Sequence, residues 1–225
     1  MHIETLIYNS FQVNTYLLWT DDREAIVVDP AFHSPEERRG FDRLVKDKSL
    51  QLIGQVQTYC HVDHVLGCHH IKSKYGLPVR AHRDEADNLR NVARMGEMFG
   101  LDMDEIDGMD DVLESPGSLF LGGEEIVLLH VPGHSPGSLS YYLPASAAVL
   151  TGDALFSGQH RPKRFAGGNH ATLVSSIRAR LLTLPGHTLV FPGHGPSSTV
   201  GKEALENPFL QGAEHISDIW EVLFD

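Results

Sequence analysis

Cysteine is nearly absent. The 225 residues hold only Cys60 and Cys68, and neither belongs to a CxxC pair. That excludes a disulfide scaffold and fits a reducing compartment. Positive charge is also scarce: 18 Lys and Arg stand against 30 Asp and Glu, a net charge of −12 with histidine neutral. With no basic stripe to follow a phosphate backbone, nucleic acid is not an expected partner. Long apolar runs are missing too. No stretch approaches the roughly 18 residues of a membrane-spanning helix. The start, Met1-His2-Ile3-Glu4-Thr5-Leu6, has neither the basic segment nor the apolar core of an export signal. The expectation is a cytoplasmic protein with no membrane partner.

What is present is an apolar fraction of 41%, enough for a sizeable core, with 21 Gly and 12 Pro spread along the chain. No linker, repeat or low-complexity tract divides it, so residues 1–225 read as one domain. Strands are predicted over Ile3–Tyr8, Val13–Trp19, Ala25–Asp29, Leu52–Val56, Val79–His82, Ile126–His130, Leu139–Leu143, Ala147–Leu150 and Thr188–Phe191. Helices are predicted from Ser34-Pro35-Glu36-Glu37, whose Ser, Pro and Glu are start signals, over Val65–Lys74 and Asp84–Phe99, and after Asn169. Between Asp102 and Asp111 six of ten residues are acidic, which reads as a solvated loop. Strands interrupted by helices predict an α/β fold in which two sheets pack together under covering helices.

Four predicted strands end in the same way. Leu52–Val56 leads to Thr58-Tyr59-Cys60-His61-Val62-Asp63-His64, and Val127–His130 to Pro132-Gly133-His134. Ala148–Leu150 leads to Thr151-Gly152-Asp153, and Leu189–Phe191 to Pro192-Gly193-His194. Each apolar run is followed by a short turn and a side chain able to bind metal, and in three of them a glycine loosens the turn just before it. If the four ends share one edge, His61, Asp63, His64, His134, Asp153 and His194 line one cleft. Imidazoles and carboxylates without thiolate suit a divalent ion, zinc first, with iron or manganese fitting the same ligands. The other histidines, including His69, His70, His82, His130, His170, His187 and His215, lie in no ligand-like setting. Strand alternation turns Cys60 toward the core.

These runs, with Ser135-Pro136-Gly137-Ser138, Ala154-Leu155-Phe156 and Gly195-Pro196, resemble the metallo-β-lactamase superfamily. Gly167-Gly168-Asn169 and Glu206-Asn207-Pro208-Phe209-Leu210 are similar to its small glyoxalase II-like hydrolases. The resemblance extends from the first strands to about Leu210. It implies a four-layer αββα sandwich with a two-metal site between the sheets. Asp63, His64 and His194 would hold one ion, His61 and His134 the other, and Asp153 would bridge them, with Asp29 behind the ligands. The implied reaction is attack of a metal-held hydroxide on a small thioester or ester, the nucleophile oriented by Asp63.

Two positions depart from the family pattern. Tyr59 stands where the family has its first metal histidine, and Arg161-Pro162-Lys163-Arg164 replaces a Gly-Arg-x-Asp segment. One or two ions per chain are therefore expected, the pocket beside Tyr59 being the weaker. Tyr59 is expected to face the site, either as a phenolate ligand or as a hydrogen-bond partner of bound water. The alternatives to a hydrolase are a one-iron enzyme of the persulfide dioxygenase type and a metal-binding homologue with weak or no catalysis.

Overall fold

The computed structural model describes residues 1–104, 106–158 and 168–211. Strands β1 (His2–Tyr8), β2 (Val13–Trp19) and β3 (Glu24–Val28) form an antiparallel meander. Helix α1 (Pro35–Asp47) then crosses over to β4 (Gln51–Val56), which pairs parallel to β3. The start of α1 is a reciprocal cap: Ser34 Oγ accepts the Glu37 amide at 3.2 Å, and the Glu37 carboxylate accepts the Ser34 amide at 2.9 Å.

Beyond β4 the chain departs from expectation. The single helix predicted from Val65 is two, α2 (Val62–Val65) and α3 (Cys68–Tyr75). Gly67 separates them because its amide donates to Pro30 O at 2.8 Å, and a Cβ there would lie 2.6 Å from the Phe32 ring. The next strand, β5, shortens to Arg80–Ala81 and pairs parallel with β6 (Asp111–Val112). Between them runs α4 (Ala86–Met98), preceded by a 3-10 turn at Arg83–Glu85.

The acidic stretch before β6 is a strap and not merely a solvated loop. Met103, Ile106 and Met109 pack on the cluster around Val62, Val79 and Leu89. Asp104 pairs with Arg38 and Asp110 with Lys72, each at 2.7 Å. The apolar residues between the acids decide the placement of this segment.

The second sheet is built from β7 (Gly117–Leu121), β8 (Glu124–His130), β9 (Leu139–Leu143) and β10 (Ala148–Gly152). After α5 (His170–Ser176), β11 (Leu189–Pro192), β12 (Ser198–Thr199) and α6 (Val200–Glu206) complete the described chain. The helix predicted after Asn169 widens into a π turn over Ile177–Leu181, where the Leu182 amide donates to Ile177 O. Strands β6 and β12 are two residues each, too short to be read from periodicity, and the Leu119-Phe120-Leu121 run of β7 does not alternate; the sequence did not predict them.

Alternation along the strands produces the layers. Leu18, Ile26, Val28 and Val56 of the first sheet meet Ile126, Leu128, Tyr141 and Leu150 of the second in one buried cluster. Their neighbours point the other way: Leu17 and Val27 pack under Phe41, Val45 and Ile71 of the helices on one outer face. Val149 and Val190 pack under Leu173, Ile177, Leu181 and Val200 on the other. The chain is thus a single-domain αββα sandwich. Among the described residues no helix is long and apolar enough to cross a membrane.

Candidate metal centre

Strand direction brings the candidate ligands together. In the second sheet β9 is antiparallel to both β8 and β10, while β11 is parallel to β10, so β8, β10 and β11 all exit on one edge. In the first sheet the parallel pair β3 and β4 delivers Asp29 and the 57–64 segment. The two edges are joined where the Leu139 amide donates to Thr58 O and the Asn14 amide to Gly193 O, both at 2.7 Å. Gly193 needs its lack of a side chain more than any special φ: a Cβ there would fall on the Asp153 carboxylate and 2.8 Å from His64 Cε1.

Asp63, His64 and His194 each place one ligand atom within 4.8 Å of the others. All three are buried, as is Asp153. His64 Nδ1 donates to Asp29 Oδ2 at 2.9 Å, and His194 Nδ1 to Phe11 O at 3.0 Å. Those bonds fix both tautomers and leave the Nε2 lone pairs facing one another 3.4 Å apart. Asp153 lies between the groups, with Oδ1 3.6 Å from His64 Nε2 and Oδ2 3.7 Å from the Nε2 atoms of both His134 and His194. Its Oδ1 is buried without a hydrogen-bond partner. Opposed lone pairs beside a partnerless carboxylate oxygen fit a cation.

The electrostatics agree. Burial would raise Asp63, but His64 and His194 hold it well below the usual carboxylate range. Burial likewise works against the charged forms of Asp153 and His64. The imidazoles nevertheless keep Asp153 low, and Asp63 with Asp29 carries His64 up to about 9, so that without an ion a proton on Nε2 stands where the cation would and must leave when one binds.

His61 and His134 form the other half, His134 Nε2 lying 3.3 Å from His61 Nδ1. Burial lowers the His61 pKa and favours the neutral, ligating form. The Tyr59 ring sits among the imidazoles, its centroid 4.7 Å from His61, 4.4 Å from His64 and 4.7 Å from His134. Burial, then the Asp153 and Asp63 charges, push its hydroxyl well above its ordinary value. Without an ion, the surrounding groups favour a neutral phenol.

Asp29 accepts the Thr58 amide and hydroxyl, both at 2.6 Å, as well as His64, while its backbone sits at a φ of 50°. Asn14 is a residue that sequence reasoning missed. Its side-chain amide donates to Pro192 O and Gly195 O at 2.9 Å and so holds the turn that carries His194. His82, Asp84 and His130 make a second group within 4.8 Å. The two rings stack at 4.4 Å with 14° between planes, so their in-plane lone pairs run side by side and do not converge. Cys60 packs in the core with a thiol raised by burial. Arg161–Arg164 and His215 lie outside the described residues.

Two sheets between helices, with imidazoles and carboxylates gathered at one strand edge, define a metallo-hydrolase type of centre. The chain belongs to the metallo-beta-lactamase superfamily, which residues 8–194 match. It is 36% identical over 203 residues to the probable metallo-hydrolase YqgX of Bacillus subtilis, covering 89% of this chain and 93% of that one. It is 31% identical over 212 residues to the hydroxyacylglutathione hydrolase GloC of Haemophilus influenzae, covering 93% and 98%. Among solved structures, the BLEG-1 B3 metallo-beta-lactamase superposes with a TM-score of 0.85 at 31% identity, over 94% of this chain and all of that one. TTHA1623 in a di-iron-bound form superposes with 0.82 at 31% identity, over 92% and all of that chain.

Proposed function

We propose that this metallo-hydrolase cleaves a small thioester or ester. The observation that carries the reading is Asp153, buried between the Asp63–His64–His194 group and the His61–His134 pair, with Oδ1 partnerless. Its similarity to a hydroxyacylglutathione hydrolase over nearly the whole chain supports thioester chemistry. Asp63, His64 and His194 would hold one ion and His61 and His134 a second, with Asp153 shared. Zinc is the proposed ion, and iron or manganese suits the same donors.

When bound, such ions supply Lewis acidity and bring water toward a neutral pKa. The chain supplies order. Asp63, held ionised, remains an acceptor that can orient the attacking water. Asp29 and the Phe11 carbonyl keep His64 and His194 in the ligating tautomer. Tyr59, packed against the rings of His61, His64 and His134, restrains their placement.

A second reading is an iron persulfide dioxygenase, against which Tyr59 counts because that family uses the histidine it replaces; Tyr59 itself supports a metal-binding homologue with weak or no catalysis. Metal-loaded and chelator-treated protein, assayed on acyl-glutathione thioesters, simple thioesters, aryl esters, lactones and phosphodiesters, tests the first reading. Turnover of thioester or ester by the loaded form alone is expected. No turnover on any of them would overturn it, and oxygen uptake with glutathione persulfide would favour the second.

A further inference from the structure

Glu85 closes the 3-10 turn before α4 and is fully buried. Its Oε2 accepts the Cys60 amide at 2.9 Å and Asn88 Nδ2 at 2.8 Å. Its Oε1 accepts the Gly137 amide at 2.7 Å and the Ser135 hydroxyl. Asn88 Nδ2 also reaches Ser135 Oγ at 2.8 Å. Every partner is a donor, so an acceptor-only carboxylate satisfies them all, whereas a neutral amide would set its own donors against theirs.

The partners lie on two different loops. Cys60 immediately precedes His61, and Ser135 immediately follows His134. We propose that Glu85 is a positioning residue that sets the His61–His134 pair by clamping both loops to one carboxylate. The inference rests on the metal-centre reading above and adds to it the group that determines the weaker half. That half depends on such a clamp because Tyr59 supplies no imidazole there. The approach is tight: a Cβ on Gly137 would lie 2.8 Å from Glu85 Cγ.

A merely structural carboxylate is available for comparison. Glu203 is almost as deeply buried and accepts the Gly158 amide at 2.9 Å, Asn207 Nδ2 at 2.7 Å and the Ser198 hydroxyl. It binds no residue adjacent in sequence to a candidate ligand.

The test is Co(II) titration of full-length wild type, Glu85→Gln and Glu203→Gln, followed by visible absorption and calorimetry, with thermal melts of each. In Glu85→Gln the first ion should bind within about threefold of wild type. The second should bind about 10–100-fold more weakly, with an altered d–d spectrum. Glu203→Gln should lower the melting temperature yet leave both affinities unchanged. Equal second-ion affinity in wild type and Glu85→Gln overturns the inference, as does an equal loss of both ions. If Glu85→Gln does not fold, Asn88→Ala, which removes one donor each from Glu85 and Ser135, takes its place, with a weakening of about tenfold expected. Should wild type bind fewer than two ions, the two-ion reading fails separately. Hydrogen exchange on metal-free protein then decides: the Cys60 and Gly137 amides exchange at least tenfold faster in Glu85→Gln relative to Ile126, and unchanged rates overturn the clamp.

Discussion

Asp29→Asn removes one charge at a point where three donors meet. The side-chain shape is kept, and asparagine tolerates the left-handed φ of 50°, so backbone strain does not enter. The amide oxygen can still accept the Thr58 N–H. Its NH2 group then faces the Thr58 hydroxyl, which can turn to accept, and His64 Nδ1, which cannot do so in its present tautomer. His64 must shift its proton to Nε2, where it points into the centre and blocks ligation. A hydrogen bond to a charged group contributes about 1.5–3 kcal/mol, and part of that is recovered by the rotated hydroxyl. A net loss of about 2 kcal/mol is expected for metal-free protein, a fall of roughly 4–8 °C in melting temperature for a chain of this length. Ion affinity of the Asp63–His64–His194 group should fall about 10–100-fold. Circular-dichroism melts of metal-free protein and competitive titration against a chelator measure the two effects. An Asp29→Asn protein with wild-type melting and wild-type ion affinity would refute the tautomer reasoning.

Tyr59→His adds an imidazole beside His61 and His134, and metal content by elemental analysis should rise toward two ions per chain. Gly193→Ala drives a methyl into the Asp153 carboxylate and His64. Overpacking of about 1–3 kcal/mol and at least tenfold weaker ion binding should follow, read by urea denaturation and titration. In metal-free protein His64 is raised from 6.5 to about 9. Its stabilising contribution is full below pH 6.5 and is lost as pH rises through 9, so the urea midpoint should fall across that window. His61 is lowered by burial, so acidification below 6.5 should also favour unfolding. A midpoint that is flat from pH 6.5 to 9 without metal would contradict the first shift, and one that does not fall below pH 6.5 the second.

Much of this architecture was legible because ligands follow apolar strands. The runs before His61, His134, Asp153 and His194 identify themselves by composition, and Ser34 and Glu37 announce α1. What escaped depends on distant partners. Glu85 sits in Arg83-Asp84-Glu85-Ala86, which reads as a solvated helix start, and its role comes from amides 25 and 52 positions away. Asn14 lies within a strand and acts on a turn some 180 residues later. The break at Gly67 depends on Phe32 passing behind it, and no local periodicity records that. The acidic strap keeps its acids largely solvated, and its anchoring by three spaced, partly buried apolar residues is hidden in a composition count by the net charge.

Asp63 and His64 belong to the edge of one sheet, while Asp153 and His194 belong to the other. His64 and His194 are 130 positions apart in sequence. An ion shared by these side chains therefore binds only where both sheet edges are in place, in the folded chain and not in the unfolded one. Free metal concentration then enters the folding equilibrium directly, adding about 2.7 kcal/mol when the ion stands at a hundred times its dissociation constant. The first seam to part on metal depletion should be this edge, with hydrogen exchange accelerating at Asn14 and Leu139, the two amides that cross it, before it does in the strands between.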